Sequence, residues 1–156
     1  MDIRFARRGD IPGMIELLKQ VGEVHHQGRP DLFRAGAQKY DEAALEALLR
    51  DPARPIFIAA EDGKVLGYGF CIHKITRNDP VLCDYRTLYV DDLCVDENCR
   101  GKHVGTALYD HIVSYAKGEG FDSVTLNVWI CNESAMKFYE SRGLKPQKIG
   151  METLLR

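Results

Sequence analysis

The sequence predicts an α/β domain, a central mixed but mostly antiparallel sheet flanked by about four helices. Three observations carry this. The chain has 156 residues, the length of one domain with a sizeable core. Short runs rich in β-branched and aromatic residues alternate with segments whose apolar residues recur at helical spacing. No Pro/Ser linker, charge block or internal repeat divides residues 1–156, so they read as a single unit.

Ile3 and Phe5 alternate with polar residues in a first short strand. Asp10 then precedes Ile11-Pro12, an N-cap followed by proline in the first helical turn. Met14, Leu17, Leu18 and Val21 give the helix that follows its apolar face. Residues 25–40 read as irregular, and Asp41 opens a second helix through Leu45, Leu48 and Leu49. Pro55 to Ala60 and Val65 to Ile75 form a hairpin about Glu61-Asp62-Gly63-Lys64, because Asp-Gly readily supplies the positive φ values of a tight turn. A polar loop around Arg77-Asn78-Asp79-Pro80 leads into a strand from Tyr85 to Val95. A third helix from Val104 to about Lys117 aligns Val104, Leu108, Ile112 and Tyr115, and Gly118 and Gly120 end it. Val124, Leu126, Val128 and Ile130 mark another strand. Asn132 to Arg142 forms a fourth helix stopped by Gly143, and the tail is read as a last strand. The expected order is β-α-α-β-β-β-α-β-α-β.

Composition narrows the function classes. With 45 % hydrophobic and 28 % charged residues, the chain is neither disordered nor collagenous. Lys+Arg 21 against Asp+Glu 23 leaves a net charge of -2, which argues against nucleic acid or an anionic membrane as the main partner. Charges such as Lys64, Lys74, Asp91 and Asp92 break every apolar run below the roughly 18 residues that span a bilayer. Met1-Asp2-Ile3-Arg4 lacks the apolar region of a signal peptide, so a cytoplasmic protein is expected. Five cysteines, an odd number without a C-x-x-C pair, suggest reduced thiols and no structural metal.

The richest segment is Arg100-Gly101-Lys102-His103-Val104-Gly105-Thr106-Ala107, between a strand and an amphipathic helix. Its glycines let the backbone approach a ligand, while the unbonded N–H groups and positive dipole end of the helix favour an anion. Arg100 and Lys102 add charge, so the turn reads as a pyrophosphate cradle; an ordinary strand-to-helix turn is the plainer alternative. It is not a P-loop, and Gly67-Tyr68-Gly69 lacks the third glycine of a dinucleotide fingerprint.

With its flanking elements, this segment resembles the GNAT family of acyl-CoA dependent N-acetyltransferases. The family signature at this turn is Gln/Arg-x-x-Gly-x-Gly/Ala; Arg100, Gly105 and Thr106-Ala107-Leu108 fit, while His103 stands where the first glycine is usual. Asn132, Ala135, the Phe138-Tyr139 pair and Gly143 are similar to the family's following helix. Ile3-Arg4-Phe5-Ala6-Arg7 with Asp10-Ile11-Pro12 suits its first strand and helix. The resemblance implies acetyl-CoA as cosubstrate, no metal, and pyrophosphate contacts from Arg100, Gly101, Lys102, His103, Val104, Gly105 and Thr106. It implies pantetheine along Leu93, Cys94 and Val95, with Asn132, Ala135 and Phe138 closing the site.

Acetyl transfer to an amine needs a proton acceptor for the ammonium and a donor for the departing thiolate. Tyr139 matches the family's donor position. Asp91 and Asp92 are the candidate acceptors; adjacent in an apolar strand, they either point to opposite faces or sit at a bulge. The run Leu88 to Val95 looks like the family branch that includes diamine and polyamine acetyltransferases, which hints at a small cationic amine. A protein Lys or N-terminal amine and a non-catalytic acyl-CoA binding module are the alternatives, and a homodimer is compatible with the sequence. Cys94 or Cys99 as an acyl-carrying thiolate is the less favoured route. The His25-His26 pair and Arg29 to Phe33 would border the acceptor; Trp129 and Tyr85 read equally as core or cleft wall.

Overall fold

The computed structural model describes residues 1–156 and arranges them around one five-stranded sheet. In chain order the elements are β1 (Asp2–Phe5), α1 (Ile11–Gly28), α2 (Glu42–Leu49), β2 (Ile56–Glu61), β3 (Lys64–Thr76), β4 (Tyr85–Val95), α3 (Val104–Gly118), β5 (Ser123–Leu126) and α4 (Glu133–Ser141). Single 3-10 turns precede α1 at Arg8–Asp10 and follow β4 at Glu97–Cys99. The strands lie in the order β1-β2-β3-β4-β5, antiparallel except for the parallel pair β4/β5. The mixed, mostly antiparallel sheet with four helices is therefore the architecture present.

Local chemistry sets most boundaries. Asp62 and Gly63 take φ of 50° and 76°, the two positive values a tight β2–β3 turn demands. Asp41 caps α2 by accepting from the Ala44 N–H at 2.8 Å. Asp10 acts differently from the cap expected of it. Its carboxylate takes two hydrogen bonds from Arg4, at 2.8 and 3.0 Å, and one from the Arg7 N–H at 2.7 Å, so it ties β1 to the start of α1 rather than capping the helix.

Each sheet face buries its own cluster. On one, Met14, Leu17 and Leu18 of α1 and Leu45 and Leu48 of α2 meet Ile58, Tyr68, Phe70 and Cys94. On the other, Val104, Leu108 and Ile112 of α3 meet Phe57, Cys71, Leu88 and Val90. Gly67 and Gly69 are what let α3 lie this close: a Cβ on Gly67 would fall 2.9 Å from the Leu108 side chain, and one on Gly69 2.7 Å from Ile112. These glycines serve helix packing.

Three further expectations are corrected. The tail after Gly143 forms no strand. Pro146 has no N–H to give a ladder, β5 offers an edge of only four residues, and Ile149, Met151 and Leu155 stand exposed. β5 itself ends at Leu126 instead of reaching Ile130, because its pairing with β4 stops at Val90↔Leu126. Finally, α1 runs on to Gly28, so His25 and His26 occupy its last turns rather than an irregular stretch.

Candidate active site

Strand β4 is where the sheet becomes asymmetric. Phe70 pairs with Asp92 and Cys71 with Val90, which leaves Asp91 without a counterpart on β3. This is a β-bulge, and it shifts the alternation by one residue. Before it, Leu88 and Val90 face α3; after it, Leu93 and Val95 do, while Cys94 faces α1. Both adjacent carboxylates consequently turn to the α1/α2 side. Of the two arrangements the sequence allowed, the bulge is the one adopted.

The two are held differently. Asp91 accepts from Lys39 Nζ at 2.7 Å and from the Tyr40 hydroxyl at 3.2 Å; Arg54 in turn donates to the Tyr40 oxygen at 3.1 Å. Asp91 is thus compensated by a cation. Asp92 has no basic partner, only the hydroxyl of fully buried Tyr68 at 2.8 Å. Burial raises its pKa above the ordinary carboxylate value, and the Tyr68 hydrogen bond offsets only part of that shift.

Tyr139, on α4, lies within electrostatic reach of Asp92 and Cys94. Its ring packs edge-on against Phe138 and Tyr109, with centroids 5.2 and 6.4 Å away. Burial, then the charge of Asp92, raises its pKa well above the ordinary phenol value, so the hydroxyl stays protonated at neutral pH. Cys94 lies within electrostatic reach of both Asp92 and Tyr139. Its thiol donates to the Leu17 carbonyl and burial raises its pKa to about 12, which disfavours a thiolate nucleophile.

The edge of β4 facing β5 has no strand partner from Asp91 to Val95, since β5 pairs only with Thr87 to Val90. This free edge, containing Leu93, Cys94 and Val95, leads to the start of α3. There Gly101 and His103 both adopt left-handed backbone, φ 77° and 60°, and no side chain caps the helix. His103 thus occupies a conformation that glycine takes without strain, at the position where the family signature has glycine. Arg100, Lys102 and His103 are exposed, Val104 is buried, and Gly105 and Thr106 are half-buried. A Cβ on Gly105 would meet Phe138 and Val95 at an ordinary 3.5 Å, so α4 closes over the start of α3. Asn132 uses its side-chain oxygen to cap α4 at the Ala135 N–H, 3.2 Å away, and Ala135 is half-buried beside it. No cluster of three or more His, Cys, Asp or Glu gathers to hold a metal ion.

Tyr68, Lys39, Tyr40 and Arg54 complete the site without having been foreseen. Tyr68 lies 24 residues before Asp92 and meets it only through the β3/β4 register, so no local motif announces the pair. Phe33 and Trp129 meet edge to face at 5.4 Å, and His25 packs on Phe33 at 4.9 Å; Trp129 is therefore cleft wall rather than core. Tyr85 is exposed at the start of β4, away from these residues in sequence and register.

Comparison with known proteins agrees with this fold. The profile of the acetyltransferase (GNAT) family matches residues 21–144, and the chain belongs to that family. It is 30 % identical over 146 residues to an uncharacterized N-acetyltransferase, YhfO, of Bacillus subtilis, spanning 92 % of this chain and 89 % of that protein. An uncharacterized N-acetyltransferase of Methanocaldococcus jannaschii is 28 % identical over 123 residues, and the chain spans only 51 % of its length. Among solved structures, a mutant Bacillus halodurans protein superposes with a TM-score of 0.95 at 30 % identity over the whole of both chains. An aminoglycoside N-acetyltransferase in complex with CoA shares the fold, with a TM-score of 0.72 at 15 % identity over 99 % of each chain. No helix here is long and apolar enough to cross a membrane.

Proposed function

We propose that this protein transfers an acetyl group from acetyl-CoA to a primary amine by direct attack, with no covalent enzyme intermediate. The observation that carries the reading is a half-buried phenol on α4 within electrostatic reach of Asp92 and Cys94, beside a strand edge that ends at a basic, uncapped helix N-terminus.

The residues present fit the cosubstrate. The first N–H groups of α3 with Arg100 and Lys102 suit a pyrophosphate. The free edge of Leu93, Cys94 and Val95 suits the amides of pantetheine, which would add as a strand. An alkylammonium has a pKa of about 10 and must lose a proton before its lone pair can attack. Asp92 takes that proton; burial makes it a stronger base than a solvated aspartate. The new C–N bond forms as the C–S bond breaks, and a backbone N–H near Cys94 faces the developing oxyanion. Tyr139 donates a hydrogen bond to the departing sulfur. A thiol of pKa about 8.5 is more acidic than this phenol, so full transfer from Tyr139 is uphill, and its contribution is stabilisation of developing negative charge. The balance is one amide, one thiol and one proton released from each ammonium and thioester consumed.

The test is direct: calorimetric titration with acetyl-CoA, then a screen of primary amines following free thiol. Binding together with amine-dependent thiol release is expected. Absence of acetyl-CoA binding by the folded protein overturns the reading.

A further inference from the structure

A cavity of about 280 Å³ opens between the last turns of α1 and the segment from Asn127 to Asn132. Its walls include His25, Phe33 and Trp129, with Gln27, Cys131 and Asn132 at its polar points. His25 belongs both to this wall and to the surroundings of Asp92, whose ionisation it influences electrostatically. Asn132, which caps α4, is part of the same wall, so the cavity opens at the start of the helix that carries Tyr139. His26 secures the wall by a 2.8 Å hydrogen bond between its Nδ1 and the Phe33 carbonyl, tying the segment after α1 back onto the helix.

The lining contains three aromatic rings and no carboxylate. Two of the nearby carboxylates, Asp31 and Glu152, bind Arg29, next to Gly28 of the wall, and Asp91 is paired with Lys39; Glu23, outside the lining, accepts from the neutral amide of Gln27. The wall itself offers no anion to hold the further charges of a polycationic acceptor. A volume near the lower end for ligand sites admits a ring on a short alkyl chain more readily than several linked sugars.

From this we infer that the acceptor is a small amine with one positive charge and an aryl or comparably flat apolar body. The amine meets Asp92, and the ring lies among Phe33, Trp129 and His25. This rests on the acetyltransferase reading above and narrows it away from polyamines and aminoglycosides.

Thiol release at saturating acetyl-CoA is compared for 2-phenylethylamine, tryptamine, n-butylamine, spermidine and kanamycin. The two arylalkylamines are expected to exceed the others in kcat/KM by about tenfold or more, the worth of a well-seated ring. Trp129→Ala and Phe33→Ala should raise KM for 2-phenylethylamine by about tenfold while kcat, and KM for acetyl-CoA, stay within about threefold. KM for n-butylamine, which has no ring to seat, should rise less than KM for 2-phenylethylamine in the same variants. Trp129→Leu retains apolar bulk without the ring and is expected to show the same KM effect, a check should an alanine variant fold poorly. Spermidine or kanamycin used as well as the arylalkylamines, or ring removal that leaves KM unchanged, overturns the inference and leaves acetyl transfer standing. If acetyl-CoA binds but no amine releases thiol, both this inference and the transfer reading fall.

Discussion

The hydroxyl of Tyr68 donates a 2.8 Å hydrogen bond to Oδ2 of Asp92, pinning a carboxylate that Lys39 and His25 influence only at a distance and that forms no ion pair. The pair crosses between β3 and β4 at a bulge, so it depends on strand register rather than on neighbouring sequence. An anion held in this way is costly to the fold and useful to the chemistry, and the two effects can be measured on one variant.

Asp92→Asn keeps the shape and the Tyr68 hydrogen bond but removes the charge. Because the folded pKa is raised above the ordinary 3.8, Asp92 contributes stability at pH below that value and loses it as pH rises through the folded pKa; above this it weighs against folding. At pH 7.5 the variant should therefore melt no lower than wild type, while kcat falls by about 10² to 10⁴. In the wild type, the acidic limb of kcat/KM should have its midpoint above the value of a solvated aspartate. A folded Asp92→Asn within about twofold of wild-type kcat ends its role as base.

Asp91→Asn should be mild. Lys39 already neutralises Asp91, and with the Lys39 side chain 45 % exposed the ion pair contributes at most about 1 kcal/mol to stability. Its kcat is expected to stay within about threefold of wild type, set against the losses general bases produce. Loss as large as that of Asp92→Asn would show that the bulge presents two working carboxylates.

Tyr139→Phe retains the ring packed against Phe138 and Tyr109 and deletes only the hydroxyl. We expect unchanged acetyl-CoA affinity by calorimetry and a kcat lower by about 10² to 10³, since the hydrogen bond strengthens as charge develops on sulfur. The deficit should shrink with an acyl donor whose thiol leaves more easily. Wild-type kcat in the folded variant, measured where chemistry limits turnover, would return Tyr139 to a packing role.

The start of α3 yields a graded test of cosubstrate binding. A methyl on Gly105 makes only ordinary contacts at 3.5 Å with Phe138 and Val95, so Gly105→Ala should fold and bind acetyl-CoA within about threefold of wild type, a shift below 1 kcal/mol. Gly105→Asp adds negative charge beside the N–H groups meant for phosphate and should lose about tenfold or more in affinity. His103→Gly relieves a left-handed conformation costing about 1 kcal/mol and should preserve binding. Equal affinity for Gly105→Asp and wild type would place the pyrophosphate elsewhere.

The sequence by itself determined most of the elements and the turn that leads from β4 into α3. Asp41 before α2, Asp62-Gly63 between β2 and β3, and the apolar spacing of Met14, Leu17 and Leu18 act within a few residues, through hydrogen bonds and periodicity that any chain of this sequence carries. Arg100 to Thr106 and Tyr139 were legible as candidates, the turn through its glycines and charges and Tyr139 through the family pattern of its helix. Only the tertiary structure decided how Asp91 and Asp92 differ, because a bulge is a property of two strands in register and their partners, Lys39 and Tyr68, come from elsewhere in the chain. The tail shows the same division. Its residues could alternate as a strand, but a strand needs an edge to pair with, and β5 offers only four residues before the chain turns away at Leu126.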